Sequence, residues 1–218
     1  MKRREFIKRS AFAVGGLFTS NIGSDLLFAQ DAIPDLVVVK GKDIFKMVQV
    51  MFETLGGIGS FIKKGDIVVI KPNIAWDRTP EYAANTNPVL VGALVKACRE
   101  AGAKRVKVFD YTVNNPQKCY KSSGLKDEAE KYGAEVSYID ENRFREVIIK
   151  GKVLKSWPIY KDVIEADRFI NVPVAKTHGI ARLTLGMKNL MGVIGGSRRK
   201  FHQDIDQCLV AVSYTHLT

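Results

Sequence analysis

An α/β fold, with a mostly parallel sheet flanked by helices in a single domain, is what this sequence predicts. Three observations carry that expectation. Short continuous apolar runs such as residues 66–70 are bounded by glycine and proline, as strands buried on both faces are. Amphipathic helical runs separate these strands, and several of them stop at a glycine. Strand and helix therefore alternate, a rhythm that favours parallel pairing through crossover connections.

The elements follow in order. Residues 36–39 read as a first short strand. Asp43 caps a helix over 44–55, where Ile44, Met47, Val48, Met51 and Phe52 share one face, and Gly56-Gly57 ends it. The strand over 66–70 follows, between Gly65 and Pro72, and then a polar loop over 73–87. Asn87 as N-cap and Pro88 in the first turn start a helix that runs to about residue 101, where Gly102 stops it. A strand over 106–109 ends at Asp110. A helix over 124–132, a strand over 135–138 and a hairpin over 147–154 around Gly151 come next. Residues 162–166 read as a short helix or turn, and 169–172 as a strand closed by Pro173. An amphipathic helix through Leu209 completes the pattern.

The two ends are of a different character. Lys2-Arg3-Arg4-Glu5-Phe6-Ile7-Lys8 followed by the apolar stretch 11–17 has the order of a twin-arginine export signal, with Ala29 closing a plausible cleavage site. That apolar stretch is too short for a stable membrane anchor. Residues 1–29 are therefore expected to be a signal peptide read by the twin-arginine translocase, and the mature protein to work in the periplasm or another extracytoplasmic space. Residues 30–210 are expected to form the α/β domain. Residues 211–218 resemble translated sequencing-adapter read-through and are expected to be a non-native tail, with the domain incomplete at its C-terminus; His216 is set aside as a ligand for that reason.

Without residues 1–29, which hold five basic and two acidic residues, 189 residues remain with a formal charge of +8. That length supports one domain with a real core. A basic surface suits a small anionic ligand. No nucleic-acid recognition module accompanies it, so nucleic acid is not expected as a partner. The three cysteines, Cys98, Cys119 and Cys208, show no C-x-x-C spacing and no four-cysteine cluster motif. Cys98 is expected to be buried, and Cys119 to lie in a polar loop where exposure is open to it.

In a parallel sheet, ligands collect beyond the carboxyl ends of the strands. Lys71-Pro72-Asn73 follows one strand, Asp110 the next, and Lys176-Thr177-His178 lies just past another. If these strands run parallel, Lys71, Asn73, Asp110, Lys176 and His178 emerge on one rim. Lys71 and Lys176 would hold an anion, His178 would act as acid or base, and Asp110 would orient it or hold a metal. A lysine at a strand end is often simply solvated, so the joint placement carries this reading and no one residue does.

Two further segments belong with the rim. Thr86 and Asn87 stand at a helix N-terminus, where free amides attract anions. The stretch 184–196 has four glycines around Lys188-Asn189, and Arg198-Arg199-Lys200 and His202 follow it. Glycines there let backbone approach a ligand closely. No Walker or Gly-x-Gly-x-x-Gly pattern is present. His178 and His202, 24 residues apart, match no metal-ligand spacing, so no metal is assigned.

These same residues, in this order, resemble the domain-of-unknown-function 362 family: Lys71-Pro72-Asn73, Thr86-Asn87-Pro88, Ala101-Gly102-Ala103 ahead of Asp110, Lys176-Thr177-His178, Lys188-Asn189-Leu190-Met191-Gly192, then His202. The resemblance covers about residues 66–209. It implies the α/β fold and an exported protein associated with ferredoxin-like iron–sulfur proteins, and it names no reaction. No iron–sulfur ligand is carried onto this sequence, because the cluster cysteines are missing, and its cofactor stays unassigned.

The expectation is therefore a redox-linked extracytoplasmic enzyme that binds a small anionic substrate or cofactor. Its catalytic residues are His178, Lys176 and Asp110, and its ligand-binding residues are Lys71, Asn73, Thr86, Asn87, Lys188, Asn189 and His202. A ferredoxin-like electron-transfer protein is the expected partner. The alternatives are a non-catalytic ligand-binding protein on the same rim and a docking subunit for an iron–sulfur partner.

Overall fold

A computed structural model describes residues 33–149 and 151–217. The expected signal peptide, residues 1–29, lies outside them, as does Thr218. Among the described residues no helix is long and apolar enough to cross a membrane.

Asp43 accepts the backbone N–H of Lys46 and so caps the first helix, α1 (Ile44–Thr54). Strand β1 (Ile67–Pro72) follows, with Val68, Val69 and Ile70 fully buried. Asn87 caps α2 (Pro88–Glu100) through the Val89 N–H, with Pro88 in its first turn. Val91, Leu94, Val95 and Cys98 form its buried stripe. Strand β2 (Arg105–Val108) leads to α3 (Pro116–Ser122), which Asn115 caps, and α4 (Leu125–Lys131). Gly124 separates these two helices in a left-handed conformation, φ 67°. Strands β3 (Glu135–Val136), β4 (Phe144–Ile148) and β5 (Ser156–Tyr160) precede the short helix α5 (Lys161–Ile164) and strand β6 (Arg168–Val172). A hairpin of β7 (Lys176–His178) and β8 (Arg182–Thr184) leads to α6 (Gly186–Asn189), α7 (Arg198–Gln203) and α8 (Ile205–Leu217).

The main sheet has the order β3-β2-β1-β6, and every pairing in it is parallel. Alternate residues of β1 serve the two faces. Val68 and Ile70 pack with α1, α2 and α4 in one cluster. Val69 and Phe109 pack on the other face with the β4–β5 hairpin, the Leu190–Val193 turn, α7 and α8. Helices on one face, and a hairpin with helices on the other, give the parallel α/β architecture expected from the sequence. Residues from Pro34 onward form one compact unit.

Several expected elements differ. Residues 36–39 form no strand: among the described residues they pair with no other segment, and Val38 is 87% exposed. Apolar β-branched residues alone do not make a strand without a ladder to join. The helix expected over 124–132 is the second of a pair, because α3 precedes it. That places Cys119 on a helix, fully buried, where a polar loop was expected. Cys98 is buried as expected. The strand over 135–138 shrinks to two residues. The hairpin is wider than 147–154, pairing Phe144 with Tyr160 through to Ile148 with Ser156. Residues 205–217 are one continuous helix, in which Ala211, Val212 and Ser213 are buried.

Candidate functional site

The register of the sheet brings three strand ends together. Pro72 of β1 lies beside Val172 of β6, and Ile70 beside Val108 of β2. The residues just beyond share one rim, which opens into a cleft of about 930 Å³. Lys71, Asn73, Asp110, Lys176 and His178 line it, and so do Lys188, Asn189 and His202. Thr86 and Asn87 do not. The Thr86 hydroxyl donates to the Val172 carbonyl at 2.7 Å and accepts the Asn73 N–H at 2.8 Å, tying β6 to the loop after β1. Asn87 is an ordinary helix cap.

The cleft floor is a saturated ion pair. Lys71 is 1% exposed, and its Nζ lies 2.7 Å from Asp110 Oδ1. The same ammonium donates to Asn189 Oδ1 at 2.9 Å and to the Pro72 carbonyl at 2.7 Å. An ammonium has three protons to give, and the protein takes all three. Lys71 is therefore the charged anchor of the floor, and the role of holding an anion passes to other residues. Asn189 completes the network by donating from Nδ2 to the Lys71 carbonyl at 3.1 Å and to Asn171 Oδ1 at 2.8 Å. Asn171 in turn donates to the Gly186 carbonyl at 2.8 Å, which fixes the start of α6.

Asp110 does not orient His178. Its Oδ2 accepts the Ile74 N–H at 2.6 Å while Oδ1 faces Lys71. Backbone amides orient the imidazole instead. His178 Nδ1 accepts the N–H of Ile180 at 3.2 Å and of Ala181 at 3.0 Å. A nitrogen that accepts carries no proton, so the ring is neutral with its proton on Nε2. Burial holds the His178 pKa below 6.5, and the nearby Lys188, His202 and Lys176 add to the effect.

Lys176 is held differently from Lys71. Its Nζ donates to Asn73 Oδ1 at 3.0 Å and to the Ala84 carbonyl. Burial pushes its pKa down, the Lys71 charge pushes the same way, and Asp110 opposes them. Lys176 and His178 stand two apart on β7, so both side chains leave the same face of the strand.

The sequence reading missed one whole wall of the cleft. The loop after β1 contributes Trp76, Arg78 and Tyr82, and the region after β2 contributes Tyr111 and Lys118. Asn85 pins that loop: its Oδ1 accepts the Trp76 N–H, and its Nδ2 donates to the carbonyls of Trp76 and Arg78. The signal was present, since a loop of this length at the carboxyl end of a buried strand is commonly functional. Apart from the self-neutralising Lys71–Asp110 pair, the lining carries, among the described residues, four basic side chains (Arg78, Lys118, Lys176 and Lys188) against one carboxylate, Asp77. The balance favours an anionic ligand.

Metal ligation is not what the donors fit. Among the described residues no group of three or more His, Cys, Asp or Glu could hold a metal ion. Cys98, Cys119 and Cys208 are buried on α2, α3 and α8, and Cys98 and Cys119 pack on the opposite face of the sheet from Cys208. Burial pushes the Cys98 thiol up to about 12, and the other two thiols are also raised. Thiols that resist ionisation and lie apart do not suit an iron–sulfur cluster.

The model of a family described as Domain of unknown function (DUF362) matches residues 68–216. This chain belongs to the DUF362 family. The match runs from β1 to α8 and includes every cleft residue named above. The chain is also similar to the Thylakoid-associated protein sll1697 of Synechocystis sp. (strain ATCC 27184 / PCC 6803 / Kazusa), at 26% identity over 152 residues. That alignment covers 70% of the DUF362 chain and 46% of the relative, so the chain spans about half the length of the curated protein it matches.

Proposed function

We propose that this DUF362 chain is an extracytoplasmic enzyme that binds a small anionic substrate in the rim cleft and moves protons there. The observation that carries the reading is the convergence of Lys176, Lys188 and neutral His178 on one cleft floored by the Lys71–Asp110 pair. Lys188 and Lys176 supply positive charge, and His178 offers an N–H with a titratable ring behind it. Arg78 and Lys118 extend the same field to the cleft mouth.

The extracytoplasmic site of action rests on the twin-arginine pattern of residues 2–8. A relative named as thylakoid-associated is consistent with work at or beyond a membrane. The redox link rests on the resemblance of the family to iron–sulfur-associated proteins. The cysteines of residues 1–218 do not suit a cluster, so electrons would come from a ferredoxin-like protein or domain outside these residues.

The test uses the full chain purified from the periplasm. Calorimetry with oxalate and with inorganic phosphate should show saturable binding that Lys176→Met and Lys188→Met each weaken at least about tenfold. Equal affinity in the wild type and both variants would remove the cleft as the anion site. Native mass spectrometry of the same preparation identifies any ligand that it retains. A substrate turned over by the wild type and left unchanged by a folded His178→Ala variant supports the enzyme. Binding with no turnover of any retained compound would make the protein a carrier instead.

A further inference from the structure

Trp76 lines the cleft with its side chain 40% exposed, on a backbone held by hydrogen bonds at three consecutive residues. Its own N–H donates to Asn85 Oδ1 at 3.1 Å, and its carbonyl accepts Asn85 Nδ2 at 2.8 Å. The Ala75 carbonyl before it accepts the Val113 and Asn114 N–H groups at 2.9 and 3.2 Å. The Asp77 N–H after it donates to Asn114 Oδ1 at 3.1 Å. Asn85 is itself buried, so a buried polar side chain is committed to presenting a large apolar ring at the cleft lining. A scattered exposed apolar residue needs no explanation, but one held this firmly in a cationic cleft does.

Lys176 brings positive charge to the same loop. Its ammonium donates to Asn73 Oδ1 at 3.0 Å and to the Ala84 carbonyl. Asn73 precedes Trp76 by three residues, so their Cα atoms lie at most about 11 Å apart. The cation and the ring are therefore fixed to one loop, at a spacing that a single ring-bearing acid spans. The Arg78 guanidinium, 5.7 Å from the Tyr82 ring centroid, adds a second planar pair to the lining. The volume of about 930 Å³ is also far more than a two-carbon dianion fills.

We infer that Trp76 is a stacking platform and that the ligand of the cleft is a planar aromatic or heteroaromatic acid. Its ring lies on the indole, and its carboxylate or phosphate meets Lys176 and Lys188. This inference rests on the anion-cleft reading above and narrows its substrate class to ring-bearing anions. A flat ring gains from an indole face beyond the burial of its area. A platform whose backbone is fixed before the ligand arrives also loses less freedom on binding.

Two acids test it: 2-naphthoate and decahydro-2-naphthoate carry the same carboxylate on the same carbon skeleton, flat in the first and puckered in the second. Calorimetry with the full chain should show 2-naphthoate binding about fivefold or more tighter. Trp76→Leu should erase that preference, and Trp76→Phe, which keeps a ring, should retain most of it. Excess oxalate should displace 2-naphthoate, because both place a carboxylate at Lys176. Equal affinity for the flat and puckered acids in the wild type overturns the platform. So does a preference that survives Trp76→Leu, or 2-naphthoate binding that oxalate does not displace. Oxalate alone then separates the two ideas. Oxalate binding that Lys176→Met weakens would leave the anion cleft standing without its aromatic platform, and no oxalate binding would remove both.

Discussion

Gly192 sits directly on Asp110: a β-carbon added to Gly192 would lie 1.8 Å from Asp110 Oδ1 and 2.4 Å from Lys71 Cε. The backbone of the Leu190–Val193 turn is therefore the lid of the buried ion pair, and the Tyr111 N–H bonds the Gly192 carbonyl at 3.1 Å to hold it there. Only glycine allows that approach. Gly192→Ala should cost about 3 kcal/mol of stability through overpacking. Urea unfolding checks this, and an unchanged midpoint would mean that the turn does not rest on the pair.

The Lys71–Asp110 pair is fully desolvated, so breaking it should cost far more than removing it whole. Lys71→Met leaves the Asp110 carboxylate without its ammonium and should destabilise the protein by about 4 kcal/mol. Adding Asp110→Asn to that variant should recover part of the loss, because the uncompensated charge is gone. A double-mutant cycle in urea measures the coupling, and strict additivity would contradict the pairing.

His178 gives the cleft a pH dependence whose sign follows from its lowered pKa. The unfolded chain takes up the proton near 6.5, whereas the folded chain resists it. The stability linked to His178 is therefore full above that value and is lost as pH falls below it toward the lower folded value. His178→Asn keeps a side-chain oxygen able to accept the Ile180 and Ala181 amides, but it does not titrate. Thermal melts between about pH 8 and about pH 5 should fall less steeply for that variant than for the wild type. Parallel curves would show that His178 titrates freely.

Asn87 separates a structural cap from a ligand contact. Asn87→Ala should lower stability by about 1 kcal/mol and leave oxalate affinity unchanged, because the side chain serves the Val89 amide outside the cleft lining. A loss of oxalate affinity with unaltered stability would return Asn87 to the site.

What the residues reveal unaided is the sheet and its rim. A continuous apolar run marks β1 because both of its faces are covered, a shorter apolar run closed by Pro173 marks the edge strand β6, and the order of strands and helices predicts their parallel ends. That is why Lys71, Asp110, Lys176 and His178 could be placed together. The pairings themselves were not legible. Asn189 meets Lys71 across 118 residues, a contact that no local pattern encodes. The β7–β8 hairpin was hidden because its turn, Gly179-Ile180-Ala181, lacks an Asn-Gly or Asp-Gly signal and places Arg182 at φ 59°. With the hairpin unseen, the amides that orient His178 could not be named, and Asp110 was the natural candidate. The strand expected over 36–39 fails for the opposite reason: its apolar pattern is real, but among the described residues no neighbouring strand pairs with it.

The central claim is that Lys176 and His178 share one anion-binding cleft. The chain has three histidines, so long-range proton–nitrogen spectra of the imidazoles can be assigned by substitution. Titrating the full chain with oxalate should show His178 protonated on Nε2 at the start, and its Nε2 signal should shift to saturation at the oxalate affinity measured by calorimetry. Lys176→Met should abolish that shift. An oxalate complex that forms while the His178 ring nitrogens stay unmoved would contradict the shared cleft.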